Sequence, residues 1–294
     1  MVERKKGFQI TANILMIILA AACIIPFILL VMSSITDESS LLKNGYSFFP
    51  AKFSLDAYKT LLVDSRSIVR GYIISIFVTV VGTFANLALT TLFAYPLSRK
   101  DLPKKGFFAF VIFFTMLFNG GLVPSYMMWT GVFHIKNTLA ALIVPNLMMG
   151  AFYVIMMRTY FTTNIPDAVL EAARIDGAGE FKILLRVVLP MSKPIIATLA
   201  LLVGLNYWND WLNGLYYINN DQYYSIQVLL NKMLLDVQYL MSGAAGGALT
   251  QNITLPATGI KMAVAVMGVF PVLVIYPFFQ KYFVKGIVIG AVKG

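Results

Sequence analysis

The sequence is short of charge, short of cysteine and almost without histidine. Only 12% of its 294 residues are Asp, Glu, Lys or Arg, about half the roughly 25% of ordinary soluble domains, which argues against a soluble globular chain. Cys23 is the single cysteine, so an internal disulfide and a cysteine-clustered metal site are excluded. His134 is the single histidine and stands beside Lys136 with no second imidazole. No cofactor or metal is implied. There is no Gly-x-x-x-x-Gly-Lys-Ser/Thr phosphate loop, so the chain does not bind ATP in the usual way. No nucleophile, base and orienting group make a catalytic set, and the expectation is that the chain is not an enzyme. The long apolar runs also lack Asp, Glu, Lys, Arg and His in their interiors. Carriers driven by protons or sodium bury such groups at mid-membrane, and that class is disfavoured.

What the chain has is apolar surface, with 59% of residues hydrophobic. Six runs, about 10–32, 71–97, 106–129, 138–157, 194–211 and 259–283, are each long enough to cross a bilayer core of roughly 30 Å. The fold class expected is therefore all-α, a polytopic membrane protein with six transmembrane helices. The opening Arg4-Lys5-Lys6 and apolar run could be read as a cleaved signal, but the run continues nine residues past Cys23. At about 23 residues it suits a retained signal anchor. The expected organisation is a signal anchor and outer loop over 1–70, a transmembrane domain over 71–285 containing a soluble loop at 165–193, and a tail at 286–294. Pro26, Pro96, Pro124, Pro145, Pro271 and Pro277 interrupt the runs. They mark either static kinks or helices built to move.

The formal net charge of +10 would suit a nucleic-acid binder, but its placement points elsewhere. Fifteen of the Lys and Arg residues fall on one side of the six runs and eight on the other. The positive-inside rule then puts both termini and the 165–193 loop in the cytoplasm of a bacterial plasma membrane. On the outer side, residues 33–70 mix charges with Tyr46, Phe48, Phe49, Phe53 and Tyr58 and read as a folded cap. Residues 213–258 carry Ser242-Gly243-Ala244-Ala245-Gly246-Gly247-Ala248, a flexible-loop composition. Asn252-Ile253-Thr254 fits a glycosylation pattern that has no use in a bacterium.

The soluble island carries the strongest local signals. Pro166 suits the first position of a helix, Asp167 complements its positive start, and Gly177 can take the left-handed conformation that ends it. A helix is expected over 166–176 and a second over about 179–188. Each is marginal alone in water and needs a surface to dock on. Ala172 and Ala173 permit close approach, and Glu171, Arg174 and Asp176 offer charge to a partner. Glu171-Ala172-Ala173, Gly177, Leu189 and Pro190 stand at the spacing of the EAA loop of bacterial ABC importer permeases, with Val187 where that pattern usually has Ile. The segment resembles that loop. The resemblance implies a type I importer permease (MetI-like) fold, and a coupling role for Glu171, Ala172, Ala173, Asp176, Gly177, Leu189 and Pro190 against an ATP-hydrolysing subunit.

A second resemblance lies at the outer end of the fifth run, Asn206-Tyr207-Trp208-Asn209-Asp210-Trp211-Leu212. Carbohydrate importer permeases of the maltose-transporter type carry a similar Trp-Asn-acidic-aromatic-Leu signature. Residues 118–126, Phe-Asn-Gly-Gly-Leu-Val-Pro-Ser-Tyr, resemble the LplC/YtcP branch, associated with oligosaccharides. Asn206, Tyr207, Trp208, Asn209 and Asp210 are then candidates for a substrate path, since aromatic faces stack on sugar rings and amides or carboxylates satisfy hydroxyls. An aromatic belt at the membrane interface is the competing account. The partners implied are a homologous permease in a heterodimer, two ATP-binding subunits, an extracytoplasmic solute-binding protein and a carbohydrate, with membrane lipid around the spans and no nucleic acid. A permease for amino acids, peptides or phosphate stays open, because those importers share the loop.

Overall fold

The computed structural model describes residues 6–241 and 257–291. The tract at 242–248 and Asn252-Ile253-Thr254 lie outside the described residues. Among the described residues the chain is helical, with no β pairing beyond an isolated bridge between Thr36 and Phe53. In chain order the helices are α1 (Lys6–Ser34), α2 (Glu38–Asn44), α3 (Asp56–Leu61), α4 (Ser65–Ser98), α5 (Lys105–Leu117), α6 (Leu122–Met127) and α7 (Ala140–Ile143). There follow α8 (Ala151–Asn164), α9 (Asp167–Ile175), α10 (Glu180–Ile183), α11 (Leu189–Met191), α12 (Lys193–Asn209), α13 (Leu212–Tyr217), α14 (Ile226–Met241) and α15 (Ala257–Ala291).

Within Gly7–Ser34, Ser65–Ser98 and Thr258–Phe278 the helix is long and apolar enough to cross a membrane, with Pro26 and Pro96 accommodated inside α1 and α4. Two bent pairs raise the candidate spans to as many as five if each pair is one span: Lys105–Leu117 with Leu122–Val132, and Lys193–Asn209 with Glu180–Met191, which leaves it at 83° and belongs to the 165–193 loop. The expected third and fourth runs are not single helices. At Asn119-Gly120-Gly121 the Asn119 side chain accepts the Gly121 amide at 2.8 Å, Gly121 takes φ +84°, and the axis turns by 108°. Such a turn competes with the helix on local terms, despite the apolar residues on both sides.

The 138–157 run breaks between α7 and α8 around Pro145, with Asn146 at φ +61°. A break inside a membrane leaves backbone carbonyls that water cannot reach, so each needs another donor. Three side chains supply them. Tyr207 Oη donates to Ile143 O at 2.9 Å, Asn213 Nδ2 to Pro145 O at 3.0 Å, and Asn86 Nδ2 to Leu147 O at 2.7 Å. Asn86 also accepts from Thr90 Oγ1 at 3.1 Å, which fixes its amide.

The described chain divides into two compact units, residues Met1–Ile68 with Leu230–Pro271, and Val69–Leu229 with Val272–Gly294. The sequence boundaries expected near 70 and 286 both fall inside continuous helices, α4 and α15. In the first unit the side chains of α1 are almost all exposed, the pattern of a helix whose surroundings are apolar. The 33–70 connection is folded: Ser34 and Tyr58 share a hydroxyl bond at 2.9 Å, and Lys52 pairs with Asp37 at 3.2 Å. Both carboxylate oxygens of Glu38 accept backbone amides at the start of α15, Thr258 N and Gly259 N, each at 2.9 Å. They satisfy donors that a helix start leaves open.

Among the described residues, two apolar clusters lie in the second unit. One gathers Ala94, Tyr95 and Leu97 of α4, Val154, Met157 and Phe161 of α8, Leu170 of α9, Ile183, Leu184 and Val188, and Ile195 and Leu199 of α12. The other centres on Ile74, Val78, Ala141, Leu142, Val203, Tyr207 and Tyr217. Gly82 makes the second possible, because a Cβ there would lie 2.5 Å from the Tyr207 ring.

Candidate functional site

Residues 165–193 fold as the local signals require, with one adjustment. Pro166 is the residue before α9, at φ −66° and ψ 135°, and Asp167 opens the helix. The helix ends where Gly177 takes φ +75°, and Gly179 in extended conformation starts α10. The expected second helix is regular only through Ile183. From Leu184 to Val188 it widens to a π turn, with Leu189 N bonded to Leu184 O. Pro190 explains this, since it has no N–H for the carbonyl four residues back and its ring crowds that turn.

Leu170 is 6% exposed, and Ile183 and Leu184 are as well covered. Burying a leucine-sized side chain is worth about 1.5–3 kcal/mol, so these residues seat the loop on α4 and α8. The opposite side faces outward. Glu171, Ala172, Asp176 and Gly177 are exposed, Ala173 and Leu189 are half-buried and Pro190 is exposed. The most exposed large apolar side chains of the loop are Ile175 at 87% and Phe181 at 65% exposure.

Arg174 differs from the expectation that it is available to a partner. Its Nε donates to Glu180 Oε1 at 2.8 Å and its Nη2 to Glu180 Oε1 at 2.5 Å and Asp101 Oδ2 at 3.0 Å. The planar guanidinium fork has carboxylates on the loop itself and on the α4–α5 connection, which suits its geometry. Tyr95 Oη donates to the other Glu180 oxygen, Arg99 Nε lies 3.4 Å from Asp101, and Lys100 Nζ lies 2.6 Å from Asp167. The Tyr95 hydroxyl and then Arg174 hold the Glu180 carboxyl below its usual range, and Arg174 does the same to Asp101. Around this network Tyr95, Arg99, Arg174, Glu180 and Phe181 line a cavity of about 460 Å³. No local sequence pattern announces the link from Arg174 to Asp101, because the two lie 73 residues apart.

At the end of α12 the five residues expected along a substrate path divide by exposure. Asn206 and Asn209 are exposed. Asn206 Nδ2 donates to the Tyr153 hydroxyl at 2.6 Å. Tyr207 is 3% exposed and serves the α7–α8 break. Trp208 is 5% exposed and stacks on Tyr72 with centroids 6.3 Å apart. Asp210 ends α12 and accepts the Asn213 amide at 3.4 Å. Beside Trp208, a cavity of about 390 Å³ with Thr79, Thr83, Gly204 and Val272 in its wall is almost wholly apolar. Such a wall offers a sugar few hydrogen bonds.

A family model described as binding-protein-dependent transport system inner membrane component matches residues 74–289, which include both the 171–190 loop and the end of α12. The chain belongs to this family. The permease is 36% identical over 281 residues to the polygalacturonan/rhamnogalacturonan transport system permease protein YtcP of Bacillus subtilis, an alignment covering 95% of this chain and 96% of that one. It is likewise 36% identical to Protein LplC of the same organism, over 93% of this chain and 90% of that one. Among solved structures, a chain of a bacterial ABC transporter involved in the import of the acidic polysaccharide alginate matches with a TM-score of 0.79 and 28% identity. That match covers 96% of this chain and 99% of the other. The permease thus has the importer fold and is an integral protein of the bacterial inner membrane, a transport subunit that works with other transporter components.

Proposed function

We propose that the permease is one half of a heterodimeric translocation pathway for oligosaccharides bearing uronic acids. A homologous permease completes the pathway, two ATP-binding subunits drive it, and an extracytoplasmic solute-binding protein delivers cargo. The carbohydrate assignment draws on the substrates for which YtcP and the solved importer are named, polygalacturonan/rhamnogalacturonan and the acidic polysaccharide alginate.

The observation that carries the coupling assignment is the two-sided 171–190 loop. Leu170, Ile183 and Leu184 are buried against the permease, while Glu171, Ala172, Ile175, Asp176 and Phe181 are exposed and offer a partner apolar and acidic side chains. Side chains of that kind suit a groove on an ATP-binding subunit. Counting the broken 138–157 run as a sixth crossing, a cytoplasmic loop puts both termini on the same side, which is the reading that the excess of Lys and Arg supports. Closure of the ATPase pair displaces the loop, and the spans it joins swing the pathway between its two openings. Asn206 and Asn209, the exposed asparagines of the α12 set, are the residues we assign to contact with cargo.

The test is reconstitution of the permease with its partner permease, ATPase and solute-binding protein in liposomes. Labelled trigalacturonate is expected to accumulate with ATP only when all components are present. Accumulation by the permease alone, or ATP-driven uptake of amino acids or phosphate with no uptake of sugar, would refute the reading.

A further inference from the structure

Helix α9 is gripped at both ends by one short segment, the connection between α4 and α5. At its first residue Asp167 meets Lys100, and at its last turn Arg174 meets Asp101. The two α9 positions are two helical turns apart and share a face, and their partners are consecutive in sequence. The charges alternate: the connection offers a cation and then an acid, and α9 offers an acid and then a cation. Only one direction of α9 satisfies both pairs, since the reversed helix would set like charges together. The Arg174 fork holds Glu180 at the start of α10 as well, and Glu180 in turn accepts the Tyr95 hydroxyl from the end of α4. One guanidinium therefore joins α9, α10 and the α4–α5 connection.

These ion pairs are open to solvent, with side chains 37%, 59% and 51% exposed for Arg174, Asp101 and Glu180. Pairs of that exposure add little to stability. Buried Leu170, Ile183 and Leu184 seat the loop, so what the charges add is orientation. The peptide chain ties the loop to α8 and α12, and its buried side chains cluster with Ala94, Tyr95 and Leu97 of α4. The clamp adds a polar tie to the α4–α5 connection that fixes the direction of α9 on that seat.

We propose that Arg174 is a positioning residue that, through Asp101 and Glu180, makes α4 follow the 171–190 loop when that loop is displaced. This rests on the coupling reading above. The experiment uses the full transporter in a Cys23→Ser background with spin labels at Ala88→Cys on α4 and Ala197→Cys on α12, and measures the inter-label distance without nucleotide and after ATP–vanadate trapping. With Arg174 present the distribution should stay narrow and keep its centre in both states. Arg174→Ala should leave complex yield and the nucleotide-free distance intact, and split or shift the trapped distance. Arg174→Lys, which can hold one carboxylate but not two, should fall between. An unchanged trapped distance in Arg174→Ala overturns the proposal, as does a distance that already changes on trapping with Arg174 in place. A loss of yield with a normal trapped distance in the complexes that form shows a role in assembly alone and overturns it too. If the parent complex traps no nucleotide, the coupling reading fails first, and that is seen before any label is placed.

Discussion

Tyr207 on α12 donates its hydroxyl to the carbonyl of Ile143 at the end of α7, 2.9 Å away and 64 residues earlier in the chain. A residue that the sequence marks as a sugar-facing aromatic is thus turned inward and closes a gap in another helix's backbone. Tyr207→Phe keeps the ring in the niche above Gly82 but strands the carbonyl. Within a membrane protein the loss should be about 0.6–2 kcal/mol. A lower melting temperature in detergent, with cargo preference unchanged, is the expected result. Gly82→Ala, whose methyl would press on the same ring, should cost a further 1–3 kcal/mol or so by overpacking. A Tyr207→Phe variant of full stability and altered cargo ranking would return this residue to the pathway.

Gly177 sets the angle between α9 and α10 with φ +75° and nothing near its Cβ position, so only the backbone resists substitution. Gly177→Val is expected to strain the turn by about 1–3 kcal/mol. The permease should still insert, yet co-purify with less ATPase. Glu171→Lys, on the exposed face, should weaken the same association without affecting fold. Sugar affinity of the solute-binding protein is the control, and a shift in sugar preference with normal ATPase recovery would contradict the coupling role.

Acid should reach the loop through Glu180. Its carboxyl is held below the ordinary 4.5 by the Tyr95 hydroxyl and then by Arg174. A carboxylate whose folded value is lowered contributes its stability in full above the unfolded value and loses it as pH falls through the folded one. The melting-temperature difference between the parent and Glu180→Gln should therefore be flat from pH 7 to about pH 5 and shrink below about 4.5. Half the side chain is exposed, so the difference should be small and should narrow in high salt. A difference that grew as pH fell would reverse the assignment.

At the end of α12 away from the loop, Asn209→Ala is expected to slow uptake and change the ranking of trigalacturonate against a neutral trisaccharide, since on the proposed path it removes one amide contact of about 1 kcal/mol. Trp208→Ala should act first on yield, because its indole is buried against Tyr72. Measuring complex yield beside both uptake rates separates the two. Equal yield and equal ranking for Asn209→Ala would remove it from the path.

The long spans and the EAA-type loop were legible because their causes are local. Runs of apolar residues make α1, α4 and α15, and Pro166, Asp167 and Gly177 act within a few residues of where they stand. The breaks were harder. Asn119-Gly120-Gly121 and Pro145 are turn and kink signals in plain sight, but a hydropathy reading averages across them and draws one span where the chain bends or parts. Whether such a break survives depends on donors that arrive from elsewhere, Asn86, Tyr207 and Asn213 in this case, and no local pattern announces them. The same holds for Arg174: the motif places it on the loop, and only the fold brings Asp101 to meet it.

Three consecutive odd-numbered carbonyls, 143, 145 and 147, are each held by a side chain of a different helix, α12, α13 and α4. Sliding the α7–α8 segment by one residue along its axis would misplace all three acceptors at once, so the segment has no graded slippage available to it. It behaves as a keyed joint, free to tilt with its three holders or to come apart from them, and the cost of parting rises as a single step rather than bond by bond.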